Sequence, residues 1–294
     1  MKQAYIKYIL GLLLFGSNGV ISGFISLNSY EIVLTRTILG SAFLILLLLL
    51  SRQKLQIFRY KREIPYMLLS GIALAANWMF LFEGYARVGV SITILLCYCG
   101  PILVMLVSPF FFNEKITLPK IIGFCAVMLG MVFINGQSLQ AGKSLWGIFC
   151  GIMAAVTYVF MVISNKKATH ITGLENSTVQ LFISFLAVAV FVVCKQGFTM
   201  DIQSSDWLPI LVLGILNTGV GMYLYFSPIS KLPVQSVAIC GYLEPLSAVV
   251  FSVLFLHEEM LPLYILGGIL IIGGALFGEI FQLKQKNTPA DPRA

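Results

Sequence analysis

Long uninterrupted apolar runs constrain this chain more than any other feature: FLILLLLL at 43–50, ILLCYCGPILVMLVSPFFF at 94–112 and YILGGILIIGGALFG at 264–278. A bilayer's hydrocarbon layer is about 30 Å thick and takes roughly 20 helical residues to cross. In lipid the backbone must satisfy its own hydrogen bonds, which leaves helices or closed barrels, and barrel strands alternate rather than run apolar. Of the 294 residues, 59% are hydrophobic and 11% charged, against about 25% charged in soluble domains. Polar interruptions divide the chain into ten spans, at about 6–26, 31–50, 65–86, 91–111, 118–135, 144–164, 175–195, 206–228, 233–255 and 261–281. Little is left for loops. The expected fold is therefore an all-α integral membrane protein of ten transmembrane helices, with residues 283–294 as a disordered cytoplasmic tail.

The first span follows Lys2 and Lys7 but lacks a small-residue cleavage site, so it reads as an uncleaved helix. With the N-terminus placed in the cytoplasm, fifteen of the nineteen Lys and Arg residues fall on the inner side. Arg87, Lys143 and Lys195 fall outside, and Arg36 lies within a span. The positive-inside rule then puts both termini in the cytoplasm of a cell-membrane, multi-pass protein. The same loops account for the net charge of +7 as topology anchors near anionic lipid, with no nucleic-acid site. The six cysteines fall inside spans and read as small packing residues; His170 and His257 fall in loops. Neither set has metal-ligand spacing.

The chain also repeats itself. YCGPILVMLVSPFFFNEKITLPKIIGF, from Tyr98, aligns with YLEPLSAVVFSVLFLHEEMLPLYILGG, from Tyr242, at an offset of 144. Over positions 82–133 there are eleven identities, among them Val90/Val234, Tyr98/Tyr242, Pro101/Pro245, Glu114/Glu258, Gly123/Gly267 and Gly130/Gly274. The division is a first five-helix repeat at 1–140 and a second at 141–282. Five is odd, so the second copy enters the membrane inverted. An inverted repeat puts a pseudo-two-fold axis in the membrane plane, a cavity where the halves meet, and two near-mirror-image states that open it to alternate sides. Gly19/Gly23, Gly147/Gly151 and Gly274/Gly278 are GxxxG pairs that permit close helix packing.

Two five-span halves, each with Pro, twelve residues, Glu and a Gly-rich helix, resemble the EamA branch of the drug/metabolite transporter superfamily. The segments are Pro101 to Glu114 with Gly123 and Gly130, and Pro245 to Glu258 with Gly267 and Gly274; Arg36 in YEIVLTRTILGSAFLIL also fits. The resemblance covers nearly the whole chain and is weak for substrate. It implies a transporter rather than an enzyme, a cavity lined by spans 1, 3, 4, 6, 8 and 9, and no ATP or prosthetic group. Tyr158 stands in span 6 where relatives vary between a bulky aromatic and a small residue, which leaves its pocket role open.

Glu244 lies at the middle of span 9, where the first repeat has Gly100. A charge at that depth costs about 2.5–3.5 kcal/mol on insertion scales, so such a residue normally faces a cavity or a partner. It reads as a proton-exchanging group, as a partner for a cationic substrate, or as a structural acid that meets the backbone freed by Pro245. Arg36 and Glu83 read as an ion pair towards the outer side, with Glu31 as another partner, or as an outer gate. Glu114 and Glu258 read as loop-anchoring or hinge acids. Asn217, Gly221 and Tyr225 share one helical face. With Asn18, Asn77, Trp78, Tyr98 and Tyr158 they form a candidate substrate-binding set.

The leading expectation is a secondary transporter exporting an amino acid or related metabolite by alternating access. The alternative is a proton-coupled importer of a small organic cation of the choline or polyamine kind. A lipid-linked sugar flippase and a membrane enzyme are weaker; no H-E-x-x-H, G-x-S-x-G or intramembrane aspartate pair is present. The expected partners are a small-molecule substrate, the bilayer and protons, in a monomer or homodimer.

Overall fold

A computed structural model describes residues 2–88, 90–114, 116–135, 144–197, 200–256 and 262–287. Among these, the regular elements are helical. Seven helical stretches are long and apolar enough to cross a bilayer. Three shorter apolar helices, Gly100–Phe112, Leu118–Phe133 and Ile265–Phe277, fill the remaining places in the expected order of ten.

In chain order the first half holds α1 (Lys2–Gly16), α2 (Asn18–Ser22), α3 (Ser29–Ser51), α4 (Ile64–Val88), α5 (Val90–Cys97), α6 (Gly100–Phe112) and α7 (Leu118–Asn135). The second holds α8 (Leu145–Lys167), α9 (Gly173–Gln196), α10 (Trp207–Leu211), a π-helical stretch (Val212–Val220), α11 (Gly221–Ile229), α12 (Val234–Cys240), α13 (Leu243–Leu256) and α14 (Pro262–Asn287). Helix starts whose preceding residues are described keep the offset of 144 within one residue. Ser29 corresponds to Gly173, Ile64 to Trp207 and Gly100 to Leu243. The repeat therefore extends well beyond the stretch where residues are still identical. The last helix runs to Asn287, past Gln282 and into the segment expected as tail. The rest of that tail, His257, Glu258 and Lys143 lie outside the described residues.

Local chemistry sets the ends and breaks. Helix α3 starts on a capping box: Asn28 Oδ1 accepts from the Tyr30 and Glu31 amides at 3.0 and 3.1 Å, and Glu31 Oε2 accepts from the Asn28 amide at 3.0 Å. It ends at Arg52, in the left-handed region at φ 50°. Spans 4 and 9 are each broken ahead of a proline, α5 from α6 before Pro101 and α12 from α13 before Pro245. Proline has no amide hydrogen and its ring crowds the carbonyl one turn back.

The halves meet reciprocally. A Cβ on Gly130 would lie 2.5 Å from the Gly267 carbonyl oxygen, and one on Gly274 would lie 2.6 Å from that of Gly123. These four glycines are the repeat-related pairs, and each contact is the image of the other. As one index rises the partner's falls, so α7 and α14 cross antiparallel at backbone contact. Tyr98 and Tyr242, also equivalents, touch: the Tyr242 hydroxyl donates to the Tyr98 carbonyl at 2.6 Å and their rings lie 5.8 Å apart. Self-contact of equivalent residues is what a two-fold axis passing between them produces. Of the GxxxG pairs, Gly147 and Gly151 pack closely, with Cβ positions 2.6 Å from Val88 and 2.7 Å from Leu96. Gly19 would meet nothing within 4 Å, so that pair is no packing seam.

Candidate functional site

Glu244 begins the half-helix after the span 9 break, its amide donating to the Gly241 carbonyl at 3.2 Å. Among the described residues its carboxylate has no hydrogen bond or ion pair, and it is only half-buried. Within its electrostatic reach lie Arg36 on α3, Cys97 on α5, Tyr158 on α8 and Tyr225 on α11. One acid is thus coupled electrostatically to groups on four other spans, taken from both halves.

Arg36 is 7% exposed. Its Nε donates to Thr218 Oγ1 at 2.9 Å and its guanidinium lies 5.1 Å from the Trp78 ring centroid. Thr218 is aimed by the π stretch, where its hydroxyl donates five residues back to the Leu213 carbonyl at 2.8 Å. The expected Arg36–Glu83 ion pair is not formed. Glu83 lies level with Tyr30, six positions before Arg36 on α3, and a helix rises about 1.5 Å per residue, too far for the side chains to meet. Instead Glu83 gathers Tyr30, Arg87 at 3.1 Å, Lys195 at 3.1 Å and Trp146 at 3.3 Å, joining α3, α4, α8 and α9 at one end of the bundle. Glu31 belongs to the α3 cap.

The amides are more structural than expected. Asn77 Nδ2 donates to the Ala154 carbonyl at 2.8 Å, binding α4 to α8. Asn217 Nδ2 reaches the Leu14 carbonyl, Ser17 Oγ and Asn18 Oδ1 at 3.0, 2.8 and 3.1 Å, holding the break between α1 and α2. The face of Asn217, Gly221 and Tyr225 packs on α1: Phe15 lies against Gly221, and the Tyr8 and Phe15 rings lie 5.0 and 5.8 Å from Tyr225. The Tyr225 hydroxyl still comes within 3.4 Å of that of Tyr158. Tyr98 is the two-fold partner of Tyr242 described above. Trp78, Cys97, Tyr158 and Glu244 are half-buried, and Arg36 is buried.

Two buried polar groupings escaped the sequence reading. Asn165, Asn176 and Gln180 exchange amide hydrogen bonds at 2.9–3.2 Å, and Gln180 continues to Ser70 at 2.8 Å, tying α4, α8 and α9. Across the halves, the Glu114 carboxylate accepts from the Val234 and Gln235 amides at 2.8 and 3.1 Å, while Gln235 bridges Lys120 and Ser108 at 2.5 and 2.9 Å. The loop-anchoring reading of Glu114 thus acquires its object, the first turn of α12. Asn and Gln facing lipid are costly, and that rule, applied to spans 6, 7 and 9, would have flagged both groupings.

A family model described as "EamA-like transporter family" matches the chain twice, over residues 2–136 and 145–278. The chain belongs to the EamA-like transporter family. Similar curated proteins include the uncharacterized transporter YxxF of Bacillus subtilis, 26% identical over 99% of this chain and 94% of that protein. The uncharacterized transporter YoaV of the same organism is 26% identical over 81% of this chain and 83% of its own length. The uncharacterized inner membrane transporter YhbE of Escherichia coli K12 is 23% identical over 77% and 74%. A solved structure described only as "Crystal structure of protein" superposes with TM-score 0.82 at 17% identity, covering 95% of this chain and 98% of that one; it shows the fold alone. This EamA-family chain is a multi-pass membrane protein of a transporter family whose named relatives specify no substrate.

Proposed function

We propose that this EamA-family protein is a secondary active transporter that exports an amino acid or related small metabolite by alternating access around a midplane site. One observation carries the reading: a carboxylate without a hydrogen bond or ion pair among the described residues, Glu244, stands in span 9 within electrostatic reach of groups on four other helices of both halves. Broken helices that meet at mid-depth between inverted repeats are where transporters of such folds hold their cargo. The reading takes the halves as residues 1–140 and 141–282, both termini in the cytoplasm, and protons as the coupling ion through Glu244. Tyr158 and Tyr225 beside Glu244 favour one competitor, import of a small organic cation held by charge and aromatic faces.

Proteoliposome exchange separates the two. With wild-type protein, a labelled amino acid inside should exchange for unlabelled compound outside, and a pH gradient should drive net movement. Glu244→Gln should abolish the gradient-driven flux and leave exchange. If that variant loses exchange of choline or putrescine at every pH, while amino acids never move, the import reading replaces ours.

A further inference from the structure

We propose that the two bodies that rock are not the two repeats as they stand in the sequence: each repeat exchanges its second long helix with the other, so that α9 moves with α4 and α3 moves with span 8. This rests on the alternating-access reading above and adds which helices travel together.

Two glycine contacts carry the exchange. A Cβ on Gly71 of α4 would lie 2.6 Å from the Ile183 Cβ on α9, and one on Gly214 of the π stretch would lie 2.6 Å from the Leu39 Cβ on α3. Ile183 follows Leu39 by 144 positions and Gly214 follows Gly71 by 143. Each contact is therefore the image of the other. The loops repeat the pattern. The Glu63 carboxylate, just before α4, accepts from the His170 and Ile171 amides at 3.1 and 3.3 Å and lies 2.6 Å from His170 Nδ1. The Asp206 carboxylate, just before α10, accepts from the Ser26 amide and hydroxyl at 3.3 and 3.2 Å. Asp206 follows Glu63 by 143 positions and His170 follows Ser26 by 144. These two clasps stand at opposite ends of α3, since Ser26 precedes that helix and Glu63 follows it.

The outward-open and inward-open forms of an inverted repeat are near images under its two-fold. A contact is therefore kept in the second form when its image already exists in the first. Here both members of each pair exist together, so both persist through the change. Helix α4 keeps α9 and the loop at His170; span 8 keeps α3 and the loop at Ser26. A side chain seated on a glycine at this distance has no room to slide past, which fixes the register of each pair. The ties of Tyr30 are of another kind. Tyr30 is on α3, whereas its partners Glu83 and Lys195, the latter at 2.7 Å, are on α4 and α9. These bonds cross from one body to the other, and they must break for the bodies to part at that end of the α3–α9 seam.

Spin-label distances in lipid nanodiscs test this, on protein whose six native cysteines are replaced. Label pairs at Arg62 with Thr169 and at Phe24 with Ser205, all exposed, flank the two clasps and leave the clasp residues in place. Each pair should give one narrow distance population. A pair at Ser29 and Gln196, both exposed at the Tyr30 end of the seam, should give two. Two populations across either clasp, or one across the seam, overturns the exchanged bodies. Hydrogen exchange on the wild-type protein needs no variant to fold. The His170 and Ile171 amides should exchange roughly tenfold or more slower than those of a free chain, and unprotected exchange there overturns the proposal as well. Flux is read separately. If no compound exchanges in proteoliposomes while the distances come out as expected, the transport reading falls and the exchanged bodies stand.

Discussion

A Cβ at Gly100 would lie 3.0 Å from Tyr158 Cδ1 and 3.2 Å from the Ala155 carbonyl oxygen. The first half therefore presses α8 and its tyrosine onto the position where the second half carries Glu244. The glutamate is a departure from the two-fold, not a relic of it. Gly100→Glu, which would make the halves alike, should be strongly destabilising. Overpacking alone costs about 1–3 kcal/mol, with an unpaired charge added to it. Its thermal unfolding midpoint in detergent should fall clearly below wild type. The converse, Glu244→Gly, removes a carboxylate that makes no hydrogen bond or ion pair among the described residues, so its midpoint should fall far less than that of Gly100→Glu while gradient-driven transport is lost. A fall as large as that of Gly100→Glu would mark Glu244 as structural. The sequence exposed the Gly100/Glu244 asymmetry but not its cause. Tyr158 is 58 positions from Gly100 along the chain, and no local pattern ties the two.

Elements keep the repeat where residues have drifted. Helix starts hold the register of 144 through spans that share no residue pattern, because span length and loop length are set by the bilayer and change slowly. The halves differ where a span is interrupted. Span 1 is broken between α1 and α2 while α8 is continuous, and span 8 carries a π stretch while α4 is continuous. Both interruptions point at the candidate site, through Asn18 and through Thr218. Prolines announce the breaks in spans 4 and 9, but no residue type announces a π stretch, and this one went unread. Short α12 depends on help from outside: Glu114, 120 positions away, accepts from its first two amides. Removing a helix cap costs about 0.5–2 kcal/mol. Glu114→Ala should therefore speed hydrogen exchange at the Val234–Val237 amides. Glu114→Gln, which keeps one acceptor oxygen, should have a smaller effect. Unchanged exchange in both would show that the contact between halves carries no load in the resting protein.

At the scale of the whole molecule, the odd number of spans per repeat requires the two copies to face opposite ways. The antiparallel crossing of α7 and α14, each glycine on the other's carbonyl, is the same requirement met at atomic contact. Physically, inversion makes equivalent loops emerge on opposite sides, and this sets up a direct test. Asn28 and Thr172 are separated by 144 and each sits at the N-cap of the second long helix of its half. Single cysteines placed there, with the six native cysteines replaced, should react with a membrane-impermeant thiol reagent from opposite faces. In sealed right-side-out vesicles Asn28→Cys should label and Thr172→Cys should label only after permeabilisation; in inverted vesicles the pattern should reverse. The basic residues say which face is expected to be which. Lys166 and Lys167 end α8 just before Thr172, whereas the loop at Asn28 carries none, so the positive-inside rule assigns Thr172 to the cytoplasm. Labelling of both from one side would break the two-fold and, with it, any mechanism in which rocking the halves exposes Glu244 and Arg36 to each side in turn. Reversed but still opposite labelling would keep the mechanism and turn the exporter over.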